Sequence, residues 1–283
     1  MNEEKLSLKN KVVWKQNDQW INSMVDYENK DNKIVVHTKA LKTPNISSHV
    51  LVDLCGLNKY ASVGKTLLTM FGLVERTPIP LYQTVKGGIV EEFANIYLNK
   101  LYGGRYDIES FTLEQFKKTN FNQFPDQIPF SGALDKLIHG STKLPVEIKS
   151  KEFREYNKIA VNRNYPKDQI IQGANQAYMY GAEKFMMLYG FLSEEISDYL
   201  KKLTENDLWI WGQDYAKAIE DLGIRYDDIT FHHEIMDYDP RIIKAYRDKA
   251  QKIYNDFYMS RSIDRNLFKK EELLDILRYI KNE

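Results

Sequence analysis

The sequence predicts an α/β fold: a mixed central β-sheet flanked by helices, with helical additions at both ends of the chain. Three observations lead to this prediction: an apolar hairpin near the middle of the chain, two later strands separated by a helix, and helical patterns before and after them. A chain of 283 residues is long enough to bury one sizeable core. We therefore expect one core built around this sheet.

Local patterns define the expected elements in chain order. The first are a turn and short strand in 26–40, a helix in 45–57 capped by Ser47 or Ser48, and a helix in 86–104 with a glycine pair at each end. The next are a hairpin at 130–149, a polar basic loop at 150–167, a helix at 167–182 and a buried strand at 184–192. The last are a helix at 205–223, a strand at 229–239, a long helix from Asp239 and Pro240 to Tyr258, and an amphipathic helix in the tail.

Composition excludes several classes of protein. Cys55 is the only cysteine, which rules out an internal disulfide and a cysteine-ligated zinc site or iron–sulfur cluster. The formal net charge is +0, so any surface that binds nucleic acid must be local. No apolar run reaches the roughly 18 residues of a membrane helix, and the first residues contain no apolar signal core. We expect an intracellular protein without a membrane partner.

The hairpin carries charged residues between apolar ones. Side chains alternate along a strand, so Glu147 and Lys149 share one face while Ile148 lies on the other. A turn centred on Ser141 puts Asp135 opposite Glu147, and the Cβ atoms of such a pair lie about 4.5–5.5 Å apart. Two carboxylates this close repel each other unless a hard divalent cation, which prefers oxygen ligands, lies between them. The Ile148 carbonyl could add a ligand, and Lys149 could orient or deprotonate a water.

This arrangement suits metal-assisted phosphodiester hydrolysis. The alternative interpretation is a solvated hairpin face that carries a surface ion pair.

The helix in 86–104 contains two adjacent glutamates. At about 100° per residue, Leu98 lies only about 20° from Glu91 around the helix axis. This places Glu91 at the edge of the apolar face, where a semi-buried ligand would lie, whereas Glu92 points with Asn95 and Asn99 toward water. The alternative is that both glutamates are ordinary surface residues near a helix N-terminus.

The helix in 167–182 carries three glutamines on one stripe, at positions i, i+3 and i+7: Gln169, Gln172 and Gln176. A row of amides can bind a water, a backbone phosphate or a catalytic lysine. The alternative is the polar face of an amphipathic helix.

The order of these motifs resembles the PD-(D/E)XK nuclease superfamily, and within it the λ-exonuclease and RecB-like nuclease branch. The motifs are Gly87-x-x-x-Glu91-x-x-Ala94, Gly132-x-x-Asp135, Glu147-Ile148-Lys149 and the glutamine helix. The resemblance covers residues 45 to 258 and implies a restriction-endonuclease-like core. It also implies an extension at 1–45, a nuclease domain at 46–258 and a helical tail at 259–283.

The resemblance implies roles for individual residues. Glu91, Asp135 and Glu147 would bind Mg²⁺ or Mn²⁺, and Lys149 would assist the attacking water. Gln172 would be the supporting glutamine, because its spacing to Gly181 resembles that of the family's helix. The glycine pair also permits the register Gly88-x-x-x-Glu92. The iron–sulfur subgroup of RecB-like nucleases does not fit a chain with one cysteine.

The activity implied is that of a Mg²⁺-dependent DNA exonuclease in recombination, repair or genome processing. A restriction-type or structure-specific endonuclease, and a catalytically degenerate DNA-binding protein, are the alternatives. DNA is the expected partner, a recombination or single-strand-binding protein is a further candidate, and the oligomeric state stays open. The expected location is the cytoplasm or another intracellular compartment that contains the DNA.

The segment 143–167 is the candidate DNA-binding surface, because basic residues outnumber acidic ones there. The basic residues proposed to contact phosphates are Lys151, Arg154, Lys158, Arg163 and Lys167. The aromatic residues Phe153, Tyr156 and Tyr165 could stack on splayed bases. We expect Trp209 and Trp211, two apart on a helix, to be packing residues.

Overall fold

The structure is a computed structural model that describes residues 21, 25–38, 41, 44–111, 130–131 and 134–281. Its strands are β1 Asp26–Lys30, β2 Lys33–His37, β3 Ile46–Ser47, β4 Asp107–Ser110, β5 Phe130–Ser131, β6 Lys136–His139, β7 Lys143–Glu152, β8 Lys184–Leu192, β9 Ile229–Asp237 and β10 Ser262–Asp264. Its helices are α1 Ser48–Leu54, α2 Val63–Met70, α3 Leu81–Tyr102, α4 Lys167–Tyr180, α5 Glu194–Glu205, α6 Tyr215–Leu222, α7 Pro240–Ser260 and α8 Lys270–Lys281. Much of the predicted extension at 1–45, and the motif residue Gly132, lie outside the described residues.

The chain divides into two compact units. Residues 45–52 and 79–248 form the sheet unit, and residues 53–78 with the described parts of 1–44 and 249–283 form the terminal unit. The candidate site residues that the structure describes all belong to the sheet unit. The domain boundaries expected at 45/46 and 258/259 stay predictions.

The sheet unit is built on a five-stranded sheet with the strand order β4-β6-β7-β8-β9. Strands β7 and β8 run parallel, whereas the other neighbouring pairs are antiparallel. The prediction of a mixed central sheet is therefore confirmed. The hairpin register runs from Lys136 opposite Val146 to His139 opposite Lys143. This register centres the turn on Ser141, as predicted, and its continuation sets Asp135 opposite Glu147.

Helices cover both faces of this sheet, because β8 is apolar on both of its faces from Phe185 to Leu192. On one face, Val85, Ile89 and Val90 of α3 join a buried cluster with Val146 and Ile148 of β7 and with Met186 and Leu188 of β8. On the other face, α4 packs against β7 and β8. Gly173 permits this close approach, since a Cβ atom there would lie 2.5 Å from the Phe185 ring.

Helix α3 begins earlier than the sequence predicts. It starts at Leu81, directly after Pro80, so Gly87 and Gly88 lie inside the helix and do not open it. Proline is well suited to a helix start, whereas glycine inside a helix is unfavourable unless packing requires it. Packing requires Gly88, because a Cβ atom there would lie 2.3 Å from the Tyr215 ring.

This difference predicts opposite effects of the same substitution at neighbouring positions. Gly88→Ala should lower the free energy of unfolding by about 1–3 kcal/mol, since the added methyl group overpacks the contact with Tyr215. Gly87→Ala should raise it by up to about 1 kcal/mol, because a Cβ atom at Gly87 meets open space and alanine favours the helix. Urea denaturation of both variants measures the two effects, and equal changes would contradict this packing.

Two other predicted elements differ from the structure. The segment 150–167 is not a plain loop: β7 continues to Glu152, and 3-10 and π-helical turns follow at Phe153–Glu155 and Asn157–Val161. The helix predicted at 205–223 is only α6, Tyr215–Leu222, because the Asp214 side chain caps its start by accepting the Lys217 N–H. The two tryptophans of this segment therefore lie in the loop before α6.

The terminal unit contains a three-stranded antiparallel sheet in the order β1-β2-β10. Residues 26–40 were expected to form a turn and one strand, within a helical N-terminal addition. The described residues instead form a hairpin, because Asp31 and Asn32 adopt the positive φ angles, 49° and 62°, of a tight two-residue turn. An aromatic cluster also lies in this unit: the centroid of the Phe71 ring is 4.8 Å from that of Tyr254 and 5.0 Å from that of Phe257.

None of the helices in the described parts of the chain is both long and apolar enough to span a membrane.

Candidate active site

Four polar side chains meet beside the hairpin of the sheet unit. Asp135 directly precedes β6, Glu147 and Lys149 lie on one face of β7, and Gln176 lies on α4. The Ile148 N–H donates a hydrogen bond to Asp135 Oδ2 at 2.6 Å, and Gln176 Nε2 donates one to Glu147 Oε2 at 2.5 Å. Lys149 Nζ forms an ion pair with Glu147 Oε1. The predicted convergence of Asp135, Glu147 and Lys149 is therefore present.

The site carries closely spaced charges away from bulk water. Glu147 is only 6% exposed. Burial raises the pKa of Asp135 well above its usual range, and the neighbouring Glu147 carboxylate raises it further. Burial alone would lower the pKa of Lys149, but the Glu147 and Asp135 carboxylates outweigh that effect and raise it. Lys149 is thus an ammonium ion at neutral pH and partly compensates the two carboxylates.

Glu91 reaches the same region from α3. Its side chain is accessible to solvent, yet surrounding protein atoms partly desolvate the carboxylate, and this raises its pKa. Lys136 lowers the pKa of Glu91, whereas Glu147 raises it. Glu91 is therefore close enough to the hairpin for the charge of Glu147 to affect its pKa. Its assignment as a metal ligand in preference to Glu92 stays a prediction.

The glutamine that contacts the hairpin is Gln176, not the predicted Gln172. Gln172 Nε2 instead lies 3.1 Å from His49 Nδ1. Gln172 and Gln176 are both largely buried, at 8% and 4% exposure. Both lie on the stripe that the sequence indicates, and the packing of α4 against β7 decides which one reaches Glu147. The role of Gln172 as the supporting glutamine stays a prediction.

The donor chemistry of the site fits a hard divalent cation. Carboxylate oxygens are the ligands that such cations prefer, and a cation would relieve the repulsion between Asp135 and Glu147. Among the described residues, however, no three Asp, Glu, His or Cys side chains are grouped closely enough to hold a metal ion. Both oxygens of Glu147 instead contact Lys149 and Gln176. The Ile148 carbonyl and Glu91 as further ligands stay predictions.

Most of the predicted DNA-binding residues form ion pairs within the protein. Lys151 Nζ lies 3.8 Å from Glu155, Arg154 Nη2 lies 2.9 Å from Glu152, and Arg163 Nη1 lies 3.9 Å from Glu234. Lys158 and Lys167 are exposed. Of the three aromatic residues, Tyr165 stacks on Tyr189 with the ring centroids 5.8 Å apart. The Tyr165 hydroxyl lies 3.0 Å from His232 Nε2. Phe153 stacks on Tyr156 and remains 44% exposed.

Lys136 is a charged neighbour of the site that sequence reasoning missed. It lies on β6, is 9% exposed, and donates a hydrogen bond to Ser110 Oγ at 2.8 Å. Burial lowers its pKa, and the nearby Glu91 and Asp135 carboxylates raise it again. A lysine within the apolar run Leu134 to Ile138 was the available signal.

The architecture of the sheet unit is that of a PD-(D/E)XK nuclease-like fold, as the resemblance implied. The structure of LHK-Exo, an alkaline exonuclease from Laribacter hongkongensis, in complex with dAMP is similar to this chain with a TM-score of 0.50 and 12% identity, over 77% of this chain and 90% of that chain. A second structure of the same enzyme gives a TM-score of 0.48 and 11% identity, over 77% and 89%.

A phage-related exonuclease from Haemophilus somnus 129PT gives a TM-score of 0.46 and 17% identity, over 77% of this chain and 96% of that chain. No protein-family model and no curated protein sequence matches this chain. At 12% identity, the similarity to the LHK-Exo complex shows the fold alone.

The contact between Gln176 and Glu147 leads to a prediction. Gln176→Leu should lower the free energy of unfolding by about 1–3 kcal/mol, because it leaves an oxygen of the buried Glu147 without its donor. It should also lower metal-dependent DNA cleavage by about 10–100-fold, the usual effect of losing a group that orients a ligand. Gln172→Leu, the matched control on the same helix, should affect cleavage much less. A larger loss in Gln172→Leu would restore the assignment made from spacing.

Proposed function

We propose that this protein is a Mg²⁺-dependent exonuclease that hydrolyses phosphodiester bonds of DNA, with Mn²⁺ as a substitute cation. The observation that carries the proposal is the Asp135, Glu147 and Lys149 set, joined by Gln176, on the hairpin of a nuclease-like sheet. The LHK-Exo complex with dAMP supports a nucleotide as a ligand of this fold. Recombination, repair or genome processing is the proposed setting, inside the cell and with DNA as partner.

In this proposal the acids and the lysine have different tasks. Asp135, Glu147, Glu91 and the Ile148 carbonyl would hold the cation, which supplies Lewis-acid activation of the phosphate and of a water. Gln176 keeps the Glu147 carboxylate in one orientation through its hydrogen bond. The Lys149 ammonium donates to the attacking water and stabilises the negative charge that develops on phosphate oxygens.

Hydrolysis from an end is proposed because the part of the chain that the structure describes offers no element suited to reading a sequence inside a duplex. The basic residues proposed to contact DNA lie at the end of β7, in the turns after it and at the start of α4. Contacts from such residues to phosphates carry no sequence information. A free DNA end then supplies the selectivity. The alternative is an endonuclease, which would use the same site to cut phosphodiester bonds inside a DNA strand.

The test is digestion of matched linear and covalently closed circular plasmid, with the linear DNA labelled at its ends, in Mg²⁺ and in EDTA. We expect Mg²⁺-dependent release of mononucleotides or short products from linear DNA, while circles stay nearly intact. Rapid linearisation of circles into discrete fragments would favour the endonuclease alternative. DNA binding without any product in Mg²⁺ or Mn²⁺ would indicate a degenerate nuclease core.

A further inference from the structure

A buried tyrosine on β8 has a hydroxyl group without a hydrogen-bond partner. Tyr189 is 0% exposed, and no donor or acceptor of the described residues contacts its buried hydroxyl group. The ring is held in place by stacking on Tyr165 and Phe191, with centroids 5.8 Å and 6.2 Å away. An unpaired buried hydroxyl group is unfavourable, so phenylalanine would pack better at this position. Packing alone therefore does not explain the hydroxyl group.

Tyr189 stands directly beside Lys149 in the sheet. The two residues are paired in the parallel ladder of β7 and β8, and neighbouring strands lie about 4.8 Å apart. Paired residues of neighbouring strands point to the same face of a sheet. This is the face that α4 covers, because Gln176 contacts Glu147, which lies two residues before Lys149 on β7. A rotation about the side-chain torsions of Lys149 can therefore bring its ammonium to the Tyr189 hydroxyl.

The same two acids act on Tyr189 and on Lys149. Burial is the main cause of the raised pKa of Tyr189, and the charges of Asp168 and Glu147 are among those that raise it further. Burial lowers the pKa of Lys149, but the charges of Glu147 and Asp168 are among those that outweigh this effect. Asp168 lies in the first turn of α4. The Tyr189 hydroxyl therefore belongs to the electrostatic surroundings of the candidate site.

The present partner of Lys149 is a carboxylate that the proposed function assigns to the cation. Lys149 Nζ pairs with Glu147 Oε1, while Gln176 Nε2 donates to Glu147 Oε2. If Glu147 binds a cation through Oε1, the ammonium has to leave that oxygen, because the two positive charges repel each other. The Lys149 side chain is only 25% exposed, and its ammonium has three N–H donors that need acceptors. The Tyr189 hydroxyl is such an acceptor and is unoccupied by the described residues.

We propose that the Tyr189 hydroxyl accepts a hydrogen bond from the Lys149 ammonium when Glu147 coordinates the cation. The proposal rests on the proposed function, since it takes Glu147 as a cation ligand. Tyr189 holds one N–H of Lys149 and leaves the other two for the attacking water and a phosphate oxygen. It is a positioning residue, because it acts on the water and the phosphate only through Lys149.

The first test measures cation affinity in the absence of DNA. Calorimetric titration with Mn²⁺ compares the wild type, Tyr189→Phe and Tyr254→Phe. In Tyr189→Phe the ammonium has no new acceptor and competes with the cation for Glu147. The dissociation constant should therefore rise by roughly 10–100-fold, which corresponds to one hydrogen bond to a charged group. Tyr254→Phe should bind Mn²⁺ like the wild type: Tyr254 is the matched control, because its hydroxyl is also buried without a partner among the described residues but lies in the terminal unit.

The second test asks whether Tyr189 acts through the ammonium. Lys149→Met and the double variant Lys149→Met/Tyr189→Phe should bind Mn²⁺ equally, because the hydroxyl has no effect on cation affinity once the ammonium is gone. At saturating Mn²⁺, Tyr189→Phe alone should lower kcat for DNA cleavage by about 10–100-fold and leave KM for DNA unchanged, since the buried hydroxyl does not contact DNA. An equal loss of Mn²⁺ affinity with and without Lys149 would overturn the proposal.

Thermal unfolding without cation separates this role from a purely structural one. Tyr189→Phe and Tyr254→Phe should each unfold at the wild-type temperature or above it, because each removes an unpaired buried hydroxyl group. A lower unfolding temperature of Tyr189→Phe with unchanged Mn²⁺ affinity would mean that the hydroxyl only supports the fold. Equal Mn²⁺ affinity of Tyr189→Phe and the wild type would overturn the positioning role and leave the proposed function standing. A wild type that binds no divalent cation would overturn both.

Discussion

Asp135→Asn and Glu147→Gln are each expected to abolish metal-dependent DNA cleavage while the protein stays folded. Both changes keep the volume of the side chain and remove the negative charge that a hard cation requires. Cation catalysis of this kind contributes several kcal/mol to transition-state stabilisation, so the loss should be about 10³-fold or more. Asn and Gln can still accept the hydrogen bonds from the Ile148 N–H and from Gln176.

The matched control is Asp237→Asn, on β9 of the same sheet, whose carboxylate is 81% exposed and paired with Lys184 at 3.1 Å. This variant should cleave DNA like the wild type. Substantial Mg²⁺-dependent cleavage by purified Asp135→Asn or Glu147→Gln would refute the site.

Asp135→Asn should also stabilise the metal-free protein. Because the pKa of Asp135 is raised in the folded state, its ionised carboxylate destabilises the fold at neutral pH, and the neutral amide removes this contribution. The gain should vanish below about pH 4, at which the carboxyl group is protonated in the folded and the unfolded states. Thermal unfolding of the variant and the wild type at pH 7 measures the gain in stability, and the same comparison at pH 3.5 measures its loss.

Lys149→Met is expected to lose cleavage and to keep metal binding. An ammonium ion cannot ligate a metal, whereas a group that assists proton transfer or charge development contributes about 10²–10⁴-fold. In the structure Lys149 pairs directly with Glu147, so its removal frees a carboxylate oxygen. The variant should therefore bind Mg²⁺ or Mn²⁺ as tightly as the wild type, or more tightly.

Calorimetric titration with Mn²⁺ and single-turnover cleavage separate these two effects. Lys184→Met removes an exposed lysine from the same sheet and serves as the control. If Lys149→Met fails to bind metal although it is folded, Lys149 supports the structure of the site and does not assist the chemistry.

The hairpin shows how far sequence reasoning reaches. A strand has a side-chain period of two, so a register slip of one residue would turn Val146 and Ile148 toward the face that carries Glu147 and Lys149 in the structure. The turn centred on Ser141 predicts one register, and the structure has that register. Asp135, Glu147 and Lys149 follow directly, because strand geometry alone sets which side chains face each other.

The helices and the basic segment were predicted less well. Glycine at 87 and 88 suggested a helix start, but Gly88 serves a contact with Tyr215, far along the chain. Basic residues in 150–167 suggested a free cationic surface, but Arg154 and Arg163 are paired with acids, one of them on β9. Local patterns contain no information on such partners.

The sequence by itself determined the fold class, the hairpin and the three charged residues on it, since all of these depend on short-range periodicity. Only the tertiary structure decided that Gln176 and not Gln172 reaches Glu147, because one helical stripe carries both and the packing of α4 selects between them. Such pairing depends on residues from α4 and β7 that meet in space, and no spacing along the chain encodes that meeting.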